Sequence, residues 1–266
     1  MRAVILAGGP GTRLRPYKTV IPKPLVPIGE RPVLEHIIQS LARSGVDHID
    51  LCVSHLGQLI CVYLTNADLP PDLRLSFHWE SEPLGTAGAL TGVPGLEGTF
   101  IAMNGDVLTT LDYETLVDFH LEQDAALTVA IRAQRVNVDL GVIESENGLV
   151  RAYNEKPTMR FNASMGVYVF DARVLRYLPA GKPFQLPELV LRLLAAGERV
   201  AAFESDAEWF DIGTVGEYER AAAYVERFPQ KYGLEASALT PHDEFPAMQA
   251  RSSAASIRSR EWSEKA

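Results

Sequence analysis

Two hydrophobic periods alternate along roughly the first 230 residues. Short apolar runs rich in Val, Ile and Leu have the length of buried strands: Ala3 to Ala7, Ile49 to Ser54, Leu73 to Phe77, Phe100 to Met103, Leu127 to Arg132, Met165 to Phe170 and Val200 to Phe203. Between them, apolar positions recur at helical spacing. In Pro32 to Ser44, residues Val33, Leu34, Ile37, Ile38 and Leu41 fall on one face, Pro32 suits a first helical turn, and Gly45 is placed to end the helix. Further helices are predicted over His55 to Leu64, Tyr113 to Gln123, Leu186 to Ala196 and Val215 to Arg227, and a small-residue helix from Thr86. Short strands are predicted at Gly141 to Ile143 and Leu149 to Tyr153. Strands alternating with helices predict an α/β fold, a mixed, mostly parallel Rossmann-like sheet covered by helices on both faces. Ligands on such sheets bind at the carboxyl ends of the strands.

From Gly233 to Ala266 the periodicity fades and Ser, Ala, Pro and Arg dominate. The expectation is a catalytic domain over residues 1–232 and a poorly ordered tail over 233–266. No hexapeptide repeat is present, so no β-helix is expected.

Composition narrows the function classes. Hydrophobic residues are 47% of the chain and the formal net charge is −9, which argues against a nucleic-acid surface. The two cysteines, Cys52 in a strand and Cys61 in a helix, form no zinc or disulfide pattern and are expected to be buried free thiols. The first apolar run is too short for a signal peptide, and no run approaches a membrane span. A cytoplasmic protein without membrane partners is expected; self-association is left open.

Candidate chemistry is concentrated after the first strand, in RAVILAGGPGTRLRPYKTVIPKP. The strand ends in Leu6 and Ala7, and Gly8, Gly9 and Gly11 follow with Thr12. A glycine turn lets a ligand sit close to the main chain and offers N–H groups to phosphate oxygens. Arg13, Arg15 and Lys23 add cations, while prolines at 16, 22 and 24 prevent a regular helix. This is not a P-loop, which needs Gly-Lys-Ser/Thr, nor a dinucleotide fingerprint, whose third glycine would replace Leu14. A strand, a glycine turn and fixed cations describe a polyphosphate site.

LAGGPGTRLRPYKTVIPKPLVPIG resembles the signature of the sugar-1-phosphate nucleotidyltransferases, and the likeness continues through EPLGTAGAL, NGD, EKP, MGVYVF and WFDIGT, about 228 residues in all. The motifs look closest to mannose- and heptose-1-phosphate guanylyltransferases. The resemblance implies that a nucleoside triphosphate and a sugar 1-phosphate react to give a nucleoside-diphosphate sugar and pyrophosphate. Two anions must meet in an in-line displacement, so cations and Mg²⁺ neutralise and position them, and no protein nucleophile is needed. By the same resemblance Asp106 and Asp211 bind Mg²⁺, Arg13 binds the β/γ phosphates, and Lys23 reaches the α-phosphate. Glu82, Pro83, Gly85 and Thr86 approach the base. Gly141, Glu155, Lys156, Asn162 and Gly166 lie against the sugar and its phosphate, within a sugar-binding part spanning about 135–205.

The base is expected to be guanine. An ionised carboxylate at Glu82 only accepts hydrogen bonds, and guanine offers two adjacent donors, whereas thymine and uracil place one N–H between two carbonyls. The alternatives are thymidylyl or uridylyl transfer to glucose 1-phosphate, or a non-catalytic regulatory subunit that binds nucleotide sugars.

Overall fold

The computed structural model describes residues 1–9 and 21–234. The loop residues Gly11, Thr12, Arg13 and Arg15 and the tail expected from Gly233 lie outside them, apart from Gly233 and Leu234. The described residues group by their contacts into one compact unit.

In chain order the elements are β1 (Arg2–Leu6), β2 (Pro27–Ile28), β3 (Arg31–Pro32), α1 (Val33–Arg43), β4 (His48–Val53), α2 (Gly57–Asn66) and β5 (Arg74–Trp79). Next come α3 (Gly85–Gly88), β6 (Thr99–Asn104), β7 (Val107–Thr109), α4 (Tyr113–Glu122), β8 (Leu127–Asn137), β9 (Gly141–Glu146) and β10 (Leu149–Glu155). The last are β11 (Thr158–Asp171), α5 (Leu186–Ala195), β12 (Val200–Glu204), β13 (Trp209–Asp211) and α6 (Val215–Arg227).

One seven-stranded sheet runs in the order β12-β8-β11-β6-β1-β4-β5. Its pairs are parallel except those of β11, which is antiparallel to both neighbours. The alternation along the strands divides the core. Ala3, Ile5, Ile49, Leu51, Ile101 and Met103 pack with α1 residues such as Leu34 and Ile38 on one face. Val4, Cys52, Phe100, Ala102 and Phe170 pack with α5 residues Leu189 and Leu193 on the other. Burying both faces is why the central strands read as continuous apolar runs.

Several expectations change. Pro32 is the N-cap of α1, with extended backbone, and pairs in β3 with Pro27, so it precedes the helical turn. Cys52 is buried and its thiol is pushed up to about 12 by burial, but Cys61 is only half-buried on α2. The stretch 135–205 is not one block. Residues 138–157 lie outside the seven-stranded sheet and include the separate β9–β10 pair, whereas β12 is an edge strand of the large sheet and α5 covers a core face. Among the described residues no helix is long and apolar enough to cross a membrane.

Candidate active site

Lys23, Asp106 and Asp211 come from three distant parts of the chain and meet at one point. Lys23 opens a short 3-10 turn between Pro22 and the buried Pro24, so two fixed φ angles hold its backbone. Asp106 follows β6 in the turn Gly105–Asp106, and Gly105 N–H donates to the Leu6 carbonyl at 3.0 Å. Asp211 is delivered by β13, which pairs antiparallel with β7 so that Asp211 stands opposite Val107. The Lys23 ammonium donates to Asp106 Oδ2 and lies 3.4 Å from Asp211 Oδ1. The lysine side chain is 9% exposed, against 25% and 45% for the aspartates, so the pair of carboxylates is open on the side away from the lysine.

Beside this cluster lies a cleft of about 330 Å³, lined by Leu6, Gly8 and Gly9 from the end of β1, Pro83, Gly85, Thr86 and Ala89 around α3, and Glu80, Asn104, Asp106 and Gln185. It sits at the carboxyl ends of β1 and β6, where the topology places a ligand. Ala7 is buried behind it and donates its N–H to the Cys52 carbonyl at 2.9 Å. Ser54 Oγ donates to the Gly8 carbonyl at 2.5 Å. Thr86 Oγ1 accepts from Leu186 N–H at 2.9 Å and lies 3.4 Å from Gln185 Oε1, which ties α3 to the start of α5.

Glu82 is exposed and does not line the cleft. The carboxylate that does is Glu80, two residues earlier. Its Oε2 accepts from Leu84 N–H at 3.1 Å. Burial raises the Glu80 pKa, and the Leu84 hydrogen bond opposes the shift. Asn104 and Gln185 also line the cleft beyond the residues the motifs picked out. Asn104 stands in the Asn-Gly-Asp tripeptide, but Gln185 enters from a hundred residues away with no local signal.

Of the expected sugar residues, Gly141, Glu155, Lys156 and Asn162 are exposed and Gly166 is buried. Gly141 and Glu155 are opposite each other in the β9–β10 hairpin, and Tyr153 Oη donates to Glu155 Oε2 at 3.1 Å. Lys156 holds φ +46°, in the left-handed region, fixed by its own N–H to the Leu140 carbonyl at 3.3 Å. A non-glycine residue there costs about 1–2 kcal/mol. Asn162 is exposed on β11 opposite Ala133. Gly166, with φ +72°, sits in the irregular stretch of β11 between Ser164 and Tyr168, where a Cβ would come 2.8 Å from Asn104 Nδ2. It therefore lets the strand touch the floor of the cleft. Trp209 Nε1 donates to the Met165 carbonyl at 2.8 Å, which anchors β13 to the same stretch.

Among the described residues no group of three or more His, Cys, Asp or Glu converges as a metal cage. Asp106 and Asp211 are two oxygen donors close enough to share one ammonium, a set that suits a hard divalent cation completed by substrate phosphates and water.

A family model described as nucleotidyl transferase matches residues 2–227. A UTP–glucose-1-phosphate uridylyltransferase of Synechocystis is 33% identical over 242 residues, covering 83% of this chain and 62% of the relative. The catalytic subunit beta of mannose-1-phosphate guanylyltransferase from Xenopus tropicalis is 30% identical over 241 residues, covering 87% and 67%. The chain thus spans about two thirds of the length of these relatives. The crystal structure of HddC from Yersinia pseudotuberculosis complexed with GMP-PN superposes with a TM-score of 0.64 at 28% identity, covering 84% of this chain and 98% of that one.

Proposed function

This chain belongs to the nucleotidyl transferase family of sugar-1-phosphate nucleotidyltransferases, and from that footing we propose that it transfers a guanylyl group from GTP to a mannose- or heptose-like sugar 1-phosphate. The observation that carries this reading is the convergence of Lys23, Asp106 and Asp211 beside a glycine-edged cleft at the strand ends. Retention of all three argues for catalysis over a purely regulatory subunit.

The sugar phosphate oxygen attacks the α-phosphorus, the bond to pyrophosphate breaks, and its electron pair leaves with pyrophosphate. Asp106 and Asp211 would hold Mg²⁺. When bound, Mg²⁺ neutralises phosphate charge and fixes the reacting groups as a Lewis acid and template. Lys23 turns its ammonium from the carboxylates to the α-phosphate, where negative charge grows in the transition state. Arg13 binds the β/γ phosphates. The main chain at Gly8, Gly9, Gly11 and Thr12 cradles the nucleotide, and Glu155 and Lys156 take the sugar hydroxyls and its phosphate.

Base choice moves from Glu82 to Glu80, the carboxylate inside the cleft. Burial disfavours its ionised form in the free protein. Guanine N1–H and the exocyclic amine restore that form by donating two hydrogen bonds to it. The HddC structure with GMP-PN is consistent with a guanine site. A uridylyl reading is favoured by one observation. A protonated Glu80, which burial promotes, donates once and accepts once and so matches uracil.

The test is pyrophosphate release with GTP, UTP and dTTP against mannose 1-phosphate and glucose 1-phosphate, for wild type and Glu80→Gln. GTP is expected to lead by more than tenfold, since hydrogen bonds to a charged group contribute about 1.5–3 kcal/mol each. Glu80→Gln should erode that lead, whereas Glu82→Gln should not. A wild-type preference for UTP that grows as pH falls would establish the uridylyl reading instead.

A further inference from the structure

Beyond Ile131, β8 loses its β12 partner and continues with residues 158–164 of β11 as a two-stranded arm. Both β11 pairings are antiparallel, so β8 runs parallel to β6, and the arm extends past the carboxyl ends that hold Asn104 and Asp106. Its register sets Arg135 directly opposite Arg160. Like charges directly opposite in an antiparallel pair are destabilising, with Cβ atoms about 4.5–5.5 Å apart. Neither arginine makes an ion pair or side-chain hydrogen bond among the described residues, although the chain carries a net charge of −9.

Strand alternation fixes which face they occupy. Tyr168 is level with both Ala102 and Val129. Two-residue steps lead from Ala102 to Asn104 on β6, and from Val129 through Ile131 and Ala133 to Arg135 on β8. The arginine pair therefore shares the face of Asn104, the floor of the cleft, about 13 Å further along the strand direction. Asn162, opposite Ala133, lies one step below it on the same face. The cleft is built from β1, β6 and the end of β5, whereas the arm belongs to β11 and β8, on the other side of Asp106. On the proposed reading, a nucleotide in the cleft leaves the arm's side of Asp106 to the acceptor sugar phosphate.

We infer that Arg135 and Arg160 clamp a second anionic group on the acceptor, a phosphate or carboxylate at the end of the sugar remote from its 1-phosphate. Two facing guanidinium groups can grip one oxyanion with paired, charge-assisted hydrogen bonds, and the anion removes their mutual repulsion. This rests on the nucleotidyltransferase reading and narrows its acceptor class to sugar phosphates with two anionic ends.

The test compares mannose 1-phosphate with mannose 1,6-bisphosphate as acceptors for GTP, and measures the affinity of each by calorimetry with Mg²⁺ present. Wild type should favour the bisphosphate by at least tenfold in kcat/KM and in Kd. Arg135→Gln or Arg160→Gln should reduce that ratio at least fivefold. Arg151→Gln, which removes an exposed arginine of the β9–β10 hairpin paired with Glu146, should leave the ratio unchanged. A wild-type ratio below twofold overturns the inference, as does an equal fall in the ratio for Arg151→Gln, which would reduce the effect to overall charge. Absence of pyrophosphate release with every acceptor would instead defeat the nucleotidyltransferase reading, and the two calorimetric affinities would still decide the clamp.

Discussion

Replacing Gly85 with Ala should damage both stability and nucleotide binding. Gly85 holds φ +76° at the first residue of α3, and a Cβ there would lie 2.6 Å from Gln185 Nε2 and 2.8 Å from the Phe184 carbonyl oxygen. The glutamine side chain can swing away. The carbonyl cannot, because it accepts from Ala87 N–H at 3.0 Å and Gly88 N–H at 2.9 Å, while Phe184 N–H donates to the Leu84 carbonyl at 2.8 Å. The left-handed backbone costs about 1–2 kcal/mol for an L side chain, and overpacking adds about 1–3 kcal/mol. A loss of about 3 kcal/mol corresponds to a fall in Tm of about 6–12 °C for a domain of this size. The assay is thermal and urea unfolding of wild type and Gly85→Ala, with GTP affinity measured on the same samples. Gly216→Ala in α6, where a Cβ meets nothing within 4 Å, is the control and should be neutral or stabilising. Gly85→Ala melting within 2 °C of wild type, with unchanged GTP affinity, would refute the reasoning.

Lys23→Met leaves Asp106 and Asp211 facing each other uncompensated, so Tm in EDTA should fall, the gain in Tm from Mg²⁺ should exceed that of wild type, and turnover should drop more than nucleotide affinity; an unchanged Mg²⁺ gain would contradict the shared cation site. His36 and His120 are buried, 1% and 2% exposed, and burial lowers both pKa values. The unfolded chain therefore takes up protons near pH 6.5 that the folded chain refuses. Stability is held above that pH and falls below it, at up to about 1.4 kcal/mol per pH unit for each histidine. A urea midpoint constant from pH 7 to pH 5 would contradict this.

Much of the fold is legible in the sequence because the sheet is buried on both faces. Its strands must be apolar throughout and its helices amphipathic, so the two periods separate cleanly, as in Ile49–Val53 and the stripe Val33, Leu34, Ile37, Ile38 and Leu41. The arm is less legible. Val136, Met159 and Phe161 are apolar yet about half exposed, so no core periodicity marks where β8 and β11 end. Within the site, glycine turns and lone aspartates at strand ends carry local signals, and Lys23, Asp106 and Asp211 come together accordingly. The carboxylate that lines the cleft is Glu80, two residues before the Glu82 to which the motif points. The register between the end of β5 and α3 depends on the Leu84 N–H to Glu80 hydrogen bond, which spacing alone does not reveal. Gln185 is brought in by the α3–α5 contact, a purely tertiary event.

The central claim is that Asp106 and Asp211 form, with Lys23, the metal and phosphate centre of a nucleotidyltransferase. Pyrophosphate release from GTP and a sugar 1-phosphate, followed over a Mg²⁺ titration for wild type, Asp106→Asn and Asp211→Asn, tests it most directly. Each substitution keeps the side-chain shape and removes one negative ligand, so both variants should melt like folded protein and lose turnover by at least a hundredfold, with EDTA abolishing wild-type activity and Mg²⁺ restoring it. Wild-type turnover in either variant, or release that persists in EDTA, would contradict the account.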